Sequence, residues 1–439
     1  MPYSVKDILQ MEIAPALGCT EPSAIAFGAA AAASLLENKS ITSIEVWVDV
    51  NIFKNSLAVT IPGTDGLHGL DVASALGAVG GDPSLKLQVL EPVNDQIIAH
   101  VQKIVQAGQV KVNLLPDQKG IYIRTQVIGI NDVAESIIMD SHDNIVSLKI
   151  NDQTILDHPL LLESRDGDSQ NELMEMESWL KTLSLADLYG LIDDLDMEDF
   201  AFLEEGIQYN LRLADYGLKY GPGLGVGKTL DTLVRQRLIK KDMILAAKIL
   251  TSSAADARMA GVKIPAMSLV GSGNLGLTAI LPIWAVKDYI ECDERVILEA
   301  VALSYIITIF IKAHTGRLSA ICGSSIAAGA GATAGITHLL GGGLNHIAGA
   351  IKNLTGDLAG VICDGAKAGC ALKLSTAAGT AVQAALFAIQ GVQVHSSNGI
   401  IATSQEGTMH NVGILSTQGM IETDRTILQI MMEKQFSSI

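Results

Sequence analysis

Two long stretches of this chain, residues 318–351 and 374–405, contain no Asp, Glu, Lys or Arg. Each stretch is long enough to span a lipid bilayer. Both nevertheless contain His and Asn, glycines at 341–343 interrupt the first, and neither has an aromatic belt or a flanking Lys/Arg bias. Burial in the core of a large helical domain explains such stretches better. We therefore predict a helical core around them and no membrane partner.

The hydrophobic pattern divides the chain into three parts. Residues 1–40 are predicted to be helical, with Thr20 capping a helix that has Glu21 in its first turn. Residues 41–165 form a strand-rich α+β segment, and residues 172–439 are mostly helical between glycine loops. The predicted fold class is therefore α+β. The mostly helical part is the predicted catalytic domain, and the N-terminal helix packs onto it. The strand-rich segment is inserted directly after that helix.

Strands are predicted where apolar and polar residues alternate within the strand-rich segment. Their positions are residues 43–50, 85–90, 110–115, 120–128 and 145–150. A linker is predicted at residues 163–170, where the sequence becomes acidic and polar.

The charge balance restricts the partners. The chain has 47 acidic and 30 basic residues, a net charge of −17, whereas a nucleic-acid surface requires an excess of Lys and Arg. The first ten residues lack the apolar segment of a signal peptide. We therefore expect a soluble cytoplasmic protein with no nucleic-acid partner, in a compartment where clustered cysteines serve metals or catalysis. A homodimer is compatible with the sequence, which does not determine the oligomeric state.

Four of the five cysteines lie among glycine, alanine and small polar residues. They are Cys19 in G-C-T-E-P, Cys322 in I-C-G-S-S, and Cys363 and Cys370 at the two ends of C-D-G-A-K-A-G-C, whereas Cys292 lies in the acidic E-C-D-E. Small neighbours let the backbone approach a bulky inorganic group, so the pattern favours a metal cluster. Zinc is the competing metal, but a close C-x2–4-C pair is absent. Scattered cysteines suit an iron–sulfur cluster better, and three thiolates leave one iron open as a Lewis acid.

The spacing and position of these cysteines make two local predictions. On an unbroken helix Cys363 and Cys370 would stand about 10 Å apart along the axis, so we predict that the backbone between them is not a regular helix throughout. Cys19 directly precedes a predicted helix, whose dipole lowers the pKa of a thiol and favours the thiolate. The alternative is that Cys19 is a small buried apolar residue.

Two glycine-rich motifs resemble nucleotide-binding loops. Residues 271–276 match G-x-G-x-x-G, but Pro282 is predicted to cut the following helix short and no βαβ unit surrounds the motif. Residues 221–229 resemble a P-loop, but Pro222 replaces the first required glycine and no clear strand precedes it. Both are explained as turns between helices. Backbone N–H groups in such turns can also hold a substrate carboxylate.

Other candidates are less specific. In residues 62–69, P-G-T-D-G-L-H-G, Thr64 and Asp65 are candidate substrate-binding residues, although the segment is equally explained as a turn between strands. A serine-hydrolase triad is disfavoured because no G-x-S-x-G motif is present. A pyridoxal-phosphate enzyme remains open through three lysines that lack a recognisable phosphate-binding frame. These are Lys228, Lys263 and Lys367.

In combination, the motifs resemble the L-cysteine desulfidase family, which is related to the iron–sulfur L-serine dehydratase alpha chains. The resemblance covers nearly the whole chain. The segments that carry it are G-C-T-E-P at 18–22, D-A-R-M-A-G at 256–261, G-S-G-N at 271–274 with L-P at 281–282, C-G-S-S-I-A-A-G-A-G at 322–331 and C-D-G-A-K-A-G-C at 363–370.

The resemblance implies an oxygen-sensitive lyase with a 4Fe–4S cluster that converts L-cysteine into pyruvate, ammonia and sulfide by β-elimination. It assigns the cluster to Cys322, Cys363 and Cys370, and makes Cys19 the catalytic thiol that caps the open iron or acts as the base. The substrate is expected to be held by residues at two turns. These are Thr20, Glu21, Gly271, Ser272, Gly273 and Asn274.

Two alternatives to the desulfidase remain open: an L-serine dehydratase and a non-enzymatic sensor of a small amino acid or of redox state. Serine dehydratases can use a chain-terminal cysteine as fourth ligand, whereas this sequence ends F-S-S-I at 436–439. Their equivalent of residues 18–22 also lacks the cysteine found here. Both differences favour the desulfidase branch.

Overall fold

The computed structural model describes residues 2–38, 40–118, 120–161 and 167–436. The strands are β1 (Ile13–Leu17), β2 (Ser43–Asp49), β3 (Val110–Leu115), β4 (Tyr122–Ile128), β5 (Val133–Met139), β6 (Ile145–Ile150), β7 (Gln153–Thr154) and β8 (Pro265–Leu269). The helices before β8 are α1 (Val5–Glu12), α2 (Thr20–Ser34), α3 (Val50–Ser56), α4 (Leu70–Gly80), α5 (Asp95–Gln106), α6 (Gly167–Leu180), α7 (Leu185–Gly190), α8 (Met197–Tyr220), α9 (Val226–Arg235) and α10 (Met243–Met259). Those after β8 are α11 (Gly273–Val286), α12 (Glu294–Thr315), α13 (Gly329–Leu339), α14 (Leu344–Leu358), α15 (Cys370–Ile389), α16 (Gln405–Ile414) and α17 (Ile421–Phe436).

The α+β class is confirmed, with a mixed sheet between the N-terminal residues and a large helical part. The sheet order is β3-β2-β4-β5-β6-β7, and only the β2–β3 pair is parallel. Helix α2 lies between this sheet and α4. A side chain at Gly77 of α4 would come within 2.0 Å of the Ala26 carbonyl oxygen of α2, so glycine and alanine allow the close approach.

The prediction of a strand at 85–90 is wrong. Asp82 accepts a hydrogen bond from the Ser84 N–H, and Pro83 follows it to begin a 3-10 helix over Pro83–Gln88. Strand β5 was not predicted from the sequence, because Glu135 interrupts its apolar pattern. This carboxylate is buried in ion pairs with Arg124 (2.7 Å) and Lys149 (3.3 Å) from the two neighbouring strands.

The first forty residues are not one helical segment. Helix α1 and strand β1 belong with the helical part, since Ile8 and Leu9 pack in its core and β1 pairs antiparallel with β8. Helix α2 instead packs on the sheet, which corrects the expectation that the N-terminal helix packs on the helical part. Cys19, not Thr20, occupies the cap position of α2. This cysteine therefore lies where the sheet and the helical part meet.

The charge-free stretches supply the packed helices α13, α14 and α15, whereas residues 391–404 at the end of the second stretch form a loop. A side chain at Gly331 of α13 would come within 2.3 Å of the Ser304 carbonyl oxygen of α12, and one at Gly335 within 2.4 Å of the Ala300 carbonyl oxygen. Within the described ranges, two helices are long and apolar enough to cross a membrane, α12 and α15. They bury 89% and 56% of their most apolar window inside the protein, as core helices of a folded domain do. The predicted linker lies outside the described residues at 163–166, and residues 167–170 begin α6.

The C-terminal helix α17 is attached to α3 by a buried ion pair, Lys54 with Asp424, at 2.5 Å. Lys54 is only 1% exposed, so an unpaired ammonium there is costly. We expect Asp424→Ala to lower the free energy of unfolding by about 2–4 kcal/mol, seen as a thermal midpoint lower by several degrees. Glu422→Ala is the matched control on the same helix, because its ion pair with Arg425 is exposed and contributes less than about 1 kcal/mol. Equal effects of the two variants would contradict this assignment.

Candidate active site

All four of the cysteines with small neighbours line one cavity at the junction of the sheet and the helical part. Cys19 precedes α2, Cys322 follows α12, Cys363 lies in the loop after α14, and Cys370 begins α15. The cavity volume is about 90 Å³, well above the roughly 10–15 Å³ that a single water needs, so the cavity admits a small ligand. Cys292 lies in a different cavity, beside Trp284 and Lys287. None of the five cysteines forms a disulfide.

A short antiparallel bridge holds Cys322 and Cys363 side by side. The Cys322 N–H donates to the Val361 carbonyl at 2.9 Å, and the Cys363 N–H donates to the Ala320 carbonyl at 2.6 Å. The Ser325 hydroxyl, one turn further on, donates to the Cys322 sulfur at 3.3 Å. The backbone thus positions these two thiols although they are 41 residues apart in sequence.

The prediction for the segment between Cys363 and Cys370 is confirmed: the segment is a loop, and α15 begins only at Cys370. Gly365 has a φ of +89°, and a side chain on it would come within 2.5 Å of the Lys54 carbonyl oxygen. Asp364 pairs with Lys367 and Lys373, which ties the loop to the first turn of α15. The positive φ of Gly365 and the ion pairs of Asp364 therefore bring both ends of the loop to the cavity.

Burial dominates the acidity of the thiols. It raises the pKa of Cys370 to about 12, with further contributions from Cys322, Cys363 and Cys19, and it also raises the pKa of Cys363. The pKa of Cys19 is raised to about 11, although Arg258 opposes the shift. This corrects the expectation that Cys19 is a thiolate, because burial raises its pKa more than Arg258 lowers it. Bound metal would remove such protons, since the thiolate is the metal ligand.

Cationic side chains form one wall of the cavity, and the sequence analysis missed them. Lys312 in α12 is 4% exposed, and its ammonium has no hydrogen-bond or ion-pair partner in the described part of the chain; burial lowers its pKa to about 8. Arg258 in α10 is 3% exposed and donates from Nη1 to the Asn274 amide oxygen at 2.9 Å, while its Nε–H has no partner. A charged residue inside a long apolar helix was the available signal for Lys312.

The turn between β8 and α11 brings Gly271, Ser272 and Asn274 to the cavity. Gly273 packs instead against Arg258, where a side chain would come within 2.3 Å of the guanidinium Nε. The predicted effect of Pro282 is wrong: α11 continues through it to Val286, because packing of a fully buried helix outweighs the local cost. Among the described strands β8 pairs only with β1, antiparallel, so the motif has no dinucleotide-binding context.

The second glycine-rich motif binds a carboxylate of the protein itself. It follows helix α8 directly, and the Gly227 N–H donates to the Asp256 carboxylate at 3.1 Å. Burial raises the pKa of Asp256, and the N–H groups from Leu224 to Val226 offset only part of this rise. This turn therefore has no free phosphate cradle.

Another part of the cavity lining is acidic and polar. Glu21 lines it and accepts a hydrogen bond from the Asn55 amide at 2.8 Å and one from the Thr20 hydroxyl at 3.2 Å. Thr20 thus contacts Glu21 rather than lining the cavity. Thr64 and Asp65 do not line it either: the Thr64 hydroxyl donates to the Ile61 carbonyl within its own turn. The three lysines left open as Schiff-base residues are also absent from the lining.

Comparison with known proteins identifies the family. Residues 85–429 match the family model of the serine dehydratase alpha chain. The chain belongs to this family. It is 61% identical over 438 residues to a UPF0597 protein of Desulfatibacillum aliphaticivorans, which covers 100% of both chains. UPF0597 proteins of Clostridioides difficile and Geobacter sulfurreducens are 41% and 37% identical, covering 97% and 98% of this chain and 98% of each relative.

The thiols of this serine dehydratase alpha chain homologue fit an iron–sulfur cluster, because cysteine thiolates are the usual ligands of such clusters. The unpartnered Lys312 ammonium beside Cys322 and Cys363 is a second point of fit, because it would neutralise a cluster held by thiolates.

Proposed function

We propose that this protein is an iron–sulfur lyase, an L-cysteine desulfidase that converts L-cysteine to pyruvate, ammonia and sulfide by β-elimination. The observation that supports it most is the meeting of four thiols from distant parts of the chain at one small cavity with a cationic wall. Membership of the serine dehydratase alpha chain family supports the coarser part, a lyase of the serine dehydratase type with an iron–sulfur cofactor.

The cofactor would be held by Cys322, Cys363 and Cys370 in this proposal. When bound, a 4Fe–4S cluster with one open iron supplies a Lewis acid that stabilises a departing anionic group. The fourth thiol, Cys19, is the proposed mobile group at the same cavity. Exposure of such a cluster to air would inactivate the protein, which is why we propose an oxygen-sensitive enzyme of the reducing cytoplasm.

The two walls of the cavity would bind the two ends of a zwitterionic amino acid. Arg258 and Lys312 have unused donors and suit the carboxylate, as do backbone N–H groups of the turn that starts at Gly271. Glu21 and the unpartnered Asn55 amide oxygen are acceptors for the ammonium group. The α-carbon would then lie between the cationic and the acidic groups. Buried surroundings also exclude water during the elimination step.

L-Serine is the second candidate substrate, and the family description favours it. The same walls would bind both amino acids, because serine and cysteine share their carboxylate and ammonium groups. Only the leaving group differs, hydroxide in one case and hydrosulfide in the other. The thiol-rich cavity favours the sulfur substrate, since a soft sulfur ligand suits the iron of a thiolate-bound cluster.

One experiment separates the candidates. The protein is reconstituted anaerobically with iron and sulfide, and its cluster absorbance is recorded. Sulfide released from L-cysteine and pyruvate released from L-serine are then measured side by side at equal concentrations. A desulfidase gives faster turnover of L-cysteine, and faster turnover of L-serine assigns the dehydratase. A cluster that responds to L-cysteine without turnover assigns a sensor, and the absence of any cluster would overturn the proposal.

A further inference from the structure

The turn between β5 and β6 carries a histidine from the sheet into the candidate active site. His142 is 6% exposed and lines the cavity together with Cys19, Cys322 and Asn274. A side chain on Gly271 would come within 3.0 Å of its Nδ1, so the glycine makes room for the ring. The sheet therefore delivers one imidazole to a cavity whose thiols and cations come mostly from the helical part.

The turn holds this histidine firmly. The Ser141 hydroxyl donates to the Asp143 carboxylate at 3.0 Å, and the Asn144 amide donates to the Met139 carbonyl at 3.0 Å. Asp140 adopts a φ of +67°, in the left-handed region, so the chain turns sharply at the tip of the hairpin. These bonds belong to the turn and leave the His142 ring free of them. A buried ring so placed has a defined position relative to a ligand in the cavity.

The imidazole has an unused nitrogen. Nε2 of His142 is buried and has no hydrogen-bond partner among the described residues. The charged groups that face the ring are Glu21 on α2, Asp143 in the same turn and Arg317 after α12. Burial lowers the pKa of His142, which leaves the ring neutral near pH 7 with a lone pair available. Leaving a buried polar atom without a hydrogen-bond partner is costly, which suggests that a bound ligand supplies the partner of Nε2.

Other groups at the cavity are less suited to accept a proton. The Cys19 thiol is proposed above as the mobile group at the cluster, and it packs with the apolar side chains of Val59 and Met259. Glu21 already accepts hydrogen bonds from Asn55 and Thr20. Lys312 is a cation that faces the thiols. His142 is left as the neutral base with an unused nitrogen.

We propose that His142 is a catalytic residue that accepts the α-proton of the amino-acid substrate, an inference that rests on the lyase proposed above. The ring nitrogen takes the α-proton, and the C–H electron pair becomes the Cα–Cβ double bond. The Cβ–S bond breaks, and its electron pair leaves with sulfur as hydrosulfide. The proton on His142 then passes to the hydrosulfide. Aminoacrylate tautomerises to the imine, and water hydrolyses the imine to pyruvate and ammonia.

The test compares His142→Gln with His100→Gln, an exposed histidine on α5 of the same sheet-bearing part. Glutamine keeps a polar side chain of similar size but does not act as a base at neutral pH. Each protein is reconstituted, and its cluster absorbance, its Kd for L-cysteine and its kcat for sulfide release are measured. We expect His142→Gln to retain the cluster and the Kd within about threefold and to lose kcat by 100-fold or more. His100→Gln should match the wild type.

A second readout does not depend on turnover. The reconstituted protein, labelled with nitrogen-15 in histidine, is titrated with L-alanine, which has an α-proton but no leaving group. We expect L-alanine to shift the signal that His142→Gln removes. If sulfide is released and His142→Gln keeps its kcat, or loses it only through loss of the cluster, the inference is wrong. If no substrate is turned over, the lyase proposal fails. A shifted histidine signal would then still show that His142 contacts the ligand. An unshifted signal would overturn that contact as well.

Discussion

Replacement of Cys363 by serine is expected to abolish the cluster absorbance and to reduce sulfide release from L-cysteine to background. The bridge between Ile321 and Ile362 holds Cys363 beside Cys322. Because the backbone is fixed there, no other side chain can take the position of the Cys363 sulfur. A serine hydroxyl fills the same space but remains protonated and is a poor ligand for iron in a sulfur-rich site. The loss should therefore exceed 100-fold in activity.

The matched control is Cys292→Ser, which changes the same chemical group at a cysteine outside the candidate active site. It should retain the cluster and at least half of the activity. Both variants are reconstituted anaerobically and compared by absorbance, iron content and sulfide release, with thermal unfolding as a check of folding. Full activity in Cys363→Ser, or equal losses in the two variants, would rule out the proposed ligand set.

The four cysteines could be singled out from sequence because the signal is local. Each lies among residues small enough to let the backbone close around a bulky group, and the glycines between Cys363 and Cys370 indicated a break in the helix. Alternation likewise predicted β2, β3, β4 and β6, and in β2 and β4 alternate residues are buried. Local composition therefore predicted the thiols and most of the sheet.

Other features depend on contacts that no local pattern contains. Glu135 in β5 is tolerated inside a sheet only because two neighbouring strands supply its cations. The pKa of Cys19 depends on how deeply the folded chain buries it, and the position of Cys19 before a helix does not indicate that depth. His142 and Arg258 are 116 residues apart and meet at the cavity only because β1 pairs with β8 and α2 turns back onto the sheet.

This arrangement also gives the strand-rich segment a part in the candidate active site. The cavity receives Asn55 from α3 and His142 from the β5–β6 turn, whereas Arg258, Asn274 and Lys312 come from the helical part. Under the proposed function, groups from both parts of the chain would therefore be needed to hold a ligand with two opposite charges. Movement of the sheet relative to the helical part would open the cavity and separate the acceptors for the ammonium group from the donors for the carboxylate.

The largest expected effect on substrate binding is that of Arg258→Met. Methionine retains much of the apolar volume but removes a buried guanidinium that contacts Asn274 and Cys19 and has an unused Nε–H. A charge-assisted bond to a substrate carboxylate in such a site contributes about 2–5 kcal/mol. We therefore expect kcat/KM to fall by about 100- to 1,000-fold, mainly through KM, for L-cysteine and L-serine alike, since both carry the carboxylate.

Two further variants test whether charge or geometry is responsible. Arg258→Lys keeps the charge but loses the planar fork, so it should recover little of the lost activity. Arg212→Met removes an exposed arginine from α8, where its guanidinium packs over the Tyr209 ring, and should change kcat/KM by less than about twofold. Cluster absorbance must stay at the wild-type value in all three variants for the comparison to report on binding. A full recovery in Arg258→Lys would show that a positive charge suffices, and an unchanged KM in Arg258→Met would remove this residue from the carboxylate site and leave Lys312 as the cation that holds it.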